Sequence, residues 1–132
     1  MATSINNYID CCIGSNGSHY DIAKVIYEVI KDKYHYNGNN IWTVKVNDNW
    51  EVDNKNNNLR MEIRSSVTNH FISRSIYWTQ QAREYEYANI SICIDNQIKA
   101  SKILQFSNKL KDVKFVTQVI KELKQFYSIV DN

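Results

Sequence analysis

A phosphate loop needs closely spaced glycines ending in Gly-Lys-Ser or Gly-Lys-Thr, because only a backbone without side chains lets phosphate approach its N–H groups. This chain has 132 residues and glycine at 14, 17 and 38 only, none of them followed by lysine. No Asp-x-Asp pair is present, so the sequence offers no paired-acid site for magnesium either. Asp48 and Asp53 flank a predicted hairpin, where turn chemistry explains them. His19, His35 and His70 lie on separate segments. Two of them meeting Cys93 in space would make a zinc site. No pair has local ligand spacing, so surface or half-buried histidines are the plainer expectation. The sequence therefore leads us to expect no catalytic residue, no cofactor and no metal.

Candidate binding residues are more numerous. Lys114, Lys121 and Lys124 share one face of a predicted helix, with Thr117 and Gln118 between them. Lysines on one face can neutralise backbone phosphates without reading sequence. The residues alone favour the alternative, a solvated helix face. Lys99, Lys102, Lys109 and Lys111 precede them. Arg60 and Arg64 stand one turn apart beside Ile63 and Val67, a mixture that suits a protein interface. Tyr34, Tyr36, Trp42 and Trp50 could stack single-stranded bases. A lone hairpin needs packing to be stable, so core roles are favoured for both tryptophans.

These residues must be held by some fold, and the pattern is mostly helical. The hydrophobic share is 43% and the charged share 23%, ordinary for one globular domain of this length. The net charge of +2 is too small to mark a nucleic-acid binder by itself. No apolar run reaches the roughly 18 residues of a membrane span. Cys11, Cys12 and Cys93 form no disulfide framework, which points to a reducing, intracellular setting.

Residues 1–17, with Gly14-Ser15-Asn16-Gly17, read as a flexible lead-in containing one short helix around Ile5 to Ile13. Ser18 is a candidate N-cap with Asp21 three residues on. Ile22, Val25, Ile26, Val29 and Ile30 then make an apolar stripe, predicting a helix over about 19–34 that stops at Asn37-Gly38-Asn39-Asn40. A hairpin follows, Trp42 to Val46 and Trp50 to Val52. A two-residue turn would pair Val46 with Asn49. A three-residue loop, Asn47-Asp48-Asn49, pairs Val46 with Trp50 and gathers Trp42, Val44, Val46, Trp50 and Val52 on one face, so the hydrophobic pattern selects it. Both tryptophans should then be buried against Ile22, Ile26 and Val29. Asp53–Asn58 reads as a loop with capping residues. A second helix, apolar on two sides, runs from Leu59 to about Tyr87. Ile90, Ile92 and Ile94 alternate like a strand but fit a helix too. Two more helices, about 97–110 and 113–128, complete the chain, the last with a stripe of Val116, Val119, Ile120, Leu123, Phe126 and Tyr127.

Asp21-Ile22-Ala23-Lys24, Tyr34-His35-Tyr36, Trp42 and Trp50 occur in that order. Lys114-Phe115, Glu122 and Phe126-Tyr127 follow. Across residues 18–128 this succession resembles the linker, or collar, domain of poxvirus-type primase–helicases, replication proteins of large DNA viruses and some phages. The resemblance implies a non-catalytic module that joins a primase to a hexameric superfamily-three helicase. Such a module aids ring assembly and contacts DNA without sequence preference. It implies self-association or helicase and primase modules as partners, no membrane, and a place at viral replication sites in the host cytoplasm. Unwinding by the chain itself is not expected, because the helicase's nucleotide pocket is missing from it.

The expected fold is thus mainly α (α+β), a helical collar-like domain over 18–132. It would have about four helices and one antiparallel hairpin, wing-like, between the first and second. Lys114, Lys121 and Lys124 are the candidate DNA contacts, and Arg60 and Arg64 the candidate protein interface. Two other readings stay open: a stand-alone DNA-binding or regulatory protein, and a protein-interaction domain without DNA affinity.

Overall fold

The computed structural model describes residues 2–128, so the last four residues of the expected domain, 129–132, lie outside the described residues. The chain is mainly α with one small antiparallel sheet. In order, it forms α1 (Ala2–Gly14), α2 (His19–Ile30), β1 (Tyr34–Tyr36), β2 (Trp42–Val46), β3 (Asn49–Val52), α3 (Asn57–Glu62), α4 (Thr68–Glu84), α5 (Ile90–Lys109) and α6 (Val113–Ser128). A π-helical turn, Ile63–Val67, joins α3 to α4. These form one continuous rod, the single long helix expected from Leu59 onward. There, Thr68 Oγ1 donates to the Ile63 carbonyl at 2.9 Å.

The short helix expected around Ile5 to Ile13 is present and longer, a 13-residue helix that fills most of the lead-in. Ile9 and Cys12 fall one turn apart and are fully buried, with Ile5 and Tyr8 packed beside them. A carboxylate fixes α1 to α4: Asp10 accepts Arg74 Nε at 3.0 Å, Arg74 Nη2 at 2.6 Å and Trp78 Nε1 at 3.0 Å. Gly14-Ser15-Asn16-Gly17 is an ordered turn, with Gly17 N–H donating to the Cys12 carbonyl at 2.8 Å. Gly17 has φ +75°, and a Cβ there would come within 2.6 Å of the Phe106 ring. Both facts demand glycine.

α2 starts where expected, with Ser18 Oγ accepting the Asp21 N–H at 3.2 Å. It ends at Ile30, earlier than expected. Tyr34-His35-Tyr36 leaves the helix and becomes a third strand, because two tyrosines at alternate positions fit a half-buried sheet face. Asn37–Asn40 is therefore the β1–β2 turn and not a helix stop, with Gly38, Asn39 and Asn40 all at positive φ.

The β2–β3 register is the one the hydrophobic pattern argued against. Val46 pairs with Asn49, Lys45 with Trp50, Val44 with Glu51 and Thr43 with Val52. Asn47 (φ 50°) and Asp48 (φ 67°) are both left-handed, the geometry of a two-residue type I′ turn whose twist matches the strands. Turn geometry outweighed gathering of apolar side chains. In consequence Trp42 and Val44 are buried on the inner face with Tyr34, whereas Trp50 is 49% exposed. The expectation that both tryptophans are core holds for Trp42 and fails for Trp50. The sheet is no free wing, since its inner face closes the core, and it sits after the second helix.

Asp53 caps α3, its carboxylate accepting N–H groups of Asn58 and Leu59, each at 2.9 Å. Ile90, Ile92 and Ile94 are helical, because Asn89 Oδ1 accepts the Ile92 N–H and starts α5 seven residues earlier than the sequence suggested. α4 and α5 run as an antiparallel pair, with Ser75 Oγ donating to the Ala100 carbonyl at 2.8 Å. α6 buries Val116, Val119, Ile120, Leu123 and Tyr127 as its stripe requires.

Candidate interaction surface

α6 carries the expected lysine face, and its three members differ. Lys114 and Lys121 are exposed and, among the described residues, pair with no carboxylate. Lys124 is half-buried: its Nζ donates to Asn40 Oδ1 at 2.6 Å and stands 5.2 Å from the centre of the Tyr36 ring. It ties α6 to the β1–β2 turn. Of the flanking lysines, Lys99 lies over the Trp78 ring at 4.3 Å and Lys109 over Phe115 at 5.7 Å.

Arg60 and Arg64 come together with residues far away in sequence. They line a groove of about 460 Å³ between α3 and the turn from α5 to α6, with Asn57, Met61, Leu110, Lys111, Asp112, Val113 and Val116. Arg60 Nη2 donates to Thr117 Oγ1 at 3.0 Å, which holds the guanidinium against α6. Arg64 is exposed. Met61 and Val113 are 69% and 63% exposed, so the groove presents apolar surface to solvent. No local pattern links Lys111 and Val113 to this site. The only available signal was Met61 falling outside the apolar stripe of its helix.

The aromatic candidates divide. Trp42, Tyr36 and Tyr127 form one cluster, with Trp42 ring centres 5.1 Å from Tyr36 and 5.3 Å from Tyr127. Trp42 Nε1 and Tyr127 Oη are buried without a hydrogen-bond partner among the described residues. Burial pushes the Tyr127 and Tyr34 phenols up from their ordinary value. Outside, Trp50 stands opposite Lys45 with the His35 ring edge-on at 6.5 Å.

His19, His35 and His70 remain apart, and among the described residues no group of three or more His, Cys, Asp or Glu could hold a metal. Cys93 is buried on α5 with no histidine grouped with it, so the zinc alternative is not assembled among the described residues. Cys11 is exposed, and burial pushes the Cys12 thiol up to about 12, with Asp21 adding to the shift. The buried Cys12 thiol therefore keeps its proton at neutral pH and is not poised as a thiolate nucleophile. Among the described residues no helix is long and apolar enough to cross a membrane. No family model, curated protein or solved structure matches the chain.

Proposed function

We propose that this chain is a non-catalytic module of a viral DNA-replication primase–helicase that aids assembly and contacts DNA without sequence preference. One observation carries the reading. Some of the residues behind the resemblance are distant in sequence yet converge: Trp42, Tyr36 and Tyr127 pack ring to ring, and Phe126 stacks on Tyr27 of α2 at 5.5 Å. These aromatics make one structural joint between α2, the sheet and α6, which supports reading them as a unit. Outside that joint, Lys114 and Lys121 offer cations to phosphates. Trp50 offers a ring face to an unpaired base.

The test is a titration of the chain with a labelled single strand and with a duplex, each of two unrelated sequences, at rising salt. Both should bind, with little sequence preference and an affinity that falls steeply with salt. Absence of binding at low salt removes the DNA half of the reading. The groove beside Arg60 and Arg64 favours a second reading in that case, a protein-docking domain without DNA affinity.

A further inference from the structure

The groove between α3 and the α5–α6 turn combines three cations with an apolar lining. Arg60, Arg64 and Lys111 line it against a single carboxylate, Asp112. That carboxylate is already engaged, since Asp112 Oδ2 accepts the Phe115 N–H at 2.9 Å at the start of α6. Met61 and Val113 stand exposed at the groove, and Leu110 and Val116 are buried beneath them. A volume of about 460 Å³ suits a few side chains of a peptide.

We propose that this groove docks a short acidic segment of a partner protein, with carboxylates on Arg60, Arg64 and Lys111 and one large aliphatic side chain between Met61 and Val113. Arginine presents a planar fork that matches a carboxylate in two-point contact. Nucleic acid would satisfy the cations but not the aliphatic surface. The groove holds no aromatic ring on which a base could stack. The proposal deepens the assembly half of the reading above and does not depend on the lysine face of α6.

A fluorescein-labelled peptide with glutamates flanking one leucine is the probe, titrated into the full chain. Binding should weaken with salt. Companion peptides with glutamine for glutamate, or serine for leucine, should each bind more weakly by about tenfold. Arg64→Glu should weaken the parent peptide by about tenfold or more, and Met61→Ser by several-fold. Both side chains are exposed, so both variants should melt as the parent does. Lys121→Gln, on the DNA face, should bind the peptide unchanged. The proposal is overturned if the peptide does not bind or if Arg64→Glu binds it equally. It is also overturned if a plain oligonucleotide displaces the peptide and itself loses affinity in Arg64→Glu, which would make the groove a phosphate site. Loss of DNA affinity in Lys114→Gln/Lys121→Gln with peptide binding intact concerns only the DNA reading, so the two can fail separately.

Discussion

Trp42 and Trp50 sit on neighbouring strands of one small sheet and meet opposite environments. The inner face, with Tyr34, Trp42 and Val44, is buried in the core, with Trp42 on Tyr127 of α6 and the Tyr34 hydroxyl donating to the Asn58 carbonyl of α3. The outer face shows Lys45, Trp50 and Val52 to solvent, Val52 at 69% exposure. Both faces are rich in large side chains. Composition therefore does not separate them; the parity of the pairing does, since each one-residue step in register moves a side chain to the other face. Buried apolar contact is concentrated on one face, and the other stays in contact with solvent.

The strongest way to break this comparison is Trp42→Ala. Removing a fully packed ring should lower stability by about 3–5 kcal/mol, read as a lower midpoint in urea unfolding. A variant that unfolds like the parent would mean the inner face is not the core.

Alkaline pH probes the same core, to which Cys12 of α1 also belongs. Burial first, then the negative charge of Asp21, moves the Cys12 thiol from 9.0 to about 12 in the folded chain. Above pH 9 the unfolded thiol ionises while the folded one keeps its proton, so stability is fully present below 9 and is lost as pH rises towards 12. Tyr34 and Tyr127 are shifted in the same direction by burial and act with the same sign. The expected loss is about 1.4 kcal/mol per pH unit for the thiol alone, and Cys12→Ala should make the decline shallower. A flat stability profile between pH 9 and 11 would contradict the burial seen here.

Trp50→Ala is the smallest change and sharpens the contrast. It should lower stability by under about 1 kcal/mol. Affinity for a single strand should weaken while affinity for a duplex stays near the parental value, because only an unpaired base can stack on the ring. An unfolding midpoint shifted as far as that of Trp42→Ala would erase the distinction between the faces.

What could be read from the sequence divides along the same line of local against distant causes. The Ser18 cap, the α2 stripe and the whole of α6 are written in residues within one or two turns of each other, and each stands where the periodicity placed it. Tyr34-His35-Tyr36 is locally compatible with helix or strand, and the partner that decides, Trp42–Val44, lies across a turn. The hydrophobic pattern points to the wrong β2–β3 register, because the left-handed preference of Asn47 and Asp48 outweighs the gathering of apolar side chains. α1 reads locally only as a short helix in a flexible stretch, because its stripe is sparse and its anchor, Arg74 with Trp78, lies more than sixty residues away. The lysine face was legible from helical spacing alone, but the engagement of Lys124 by Asn40 was not. Arg60 and Arg64 were legible as an interface pair; their groove depends on the α5–α6 turn, which no local pattern connects to α3.

The most direct measurement is the salt dependence of DNA binding by Lys114→Gln/Lys121→Gln beside its thermal melting. Glutamine is nearly as good a helix former as lysine, and both side chains are solvent-facing, so the melting curve should overlay the parent's. Each phosphate-neutralising lysine contributes a little under about one unit to the slope of log affinity against log salt, so the pair should flatten it by a little under about two. Adding Lys124→Gln should instead lower the melting temperature, because that side chain braces α6 against the β1–β2 turn. A double variant that binds DNA with the parental affinity and slope would contradict the DNA-contact reading of α6 and leave its lysines a solvated face.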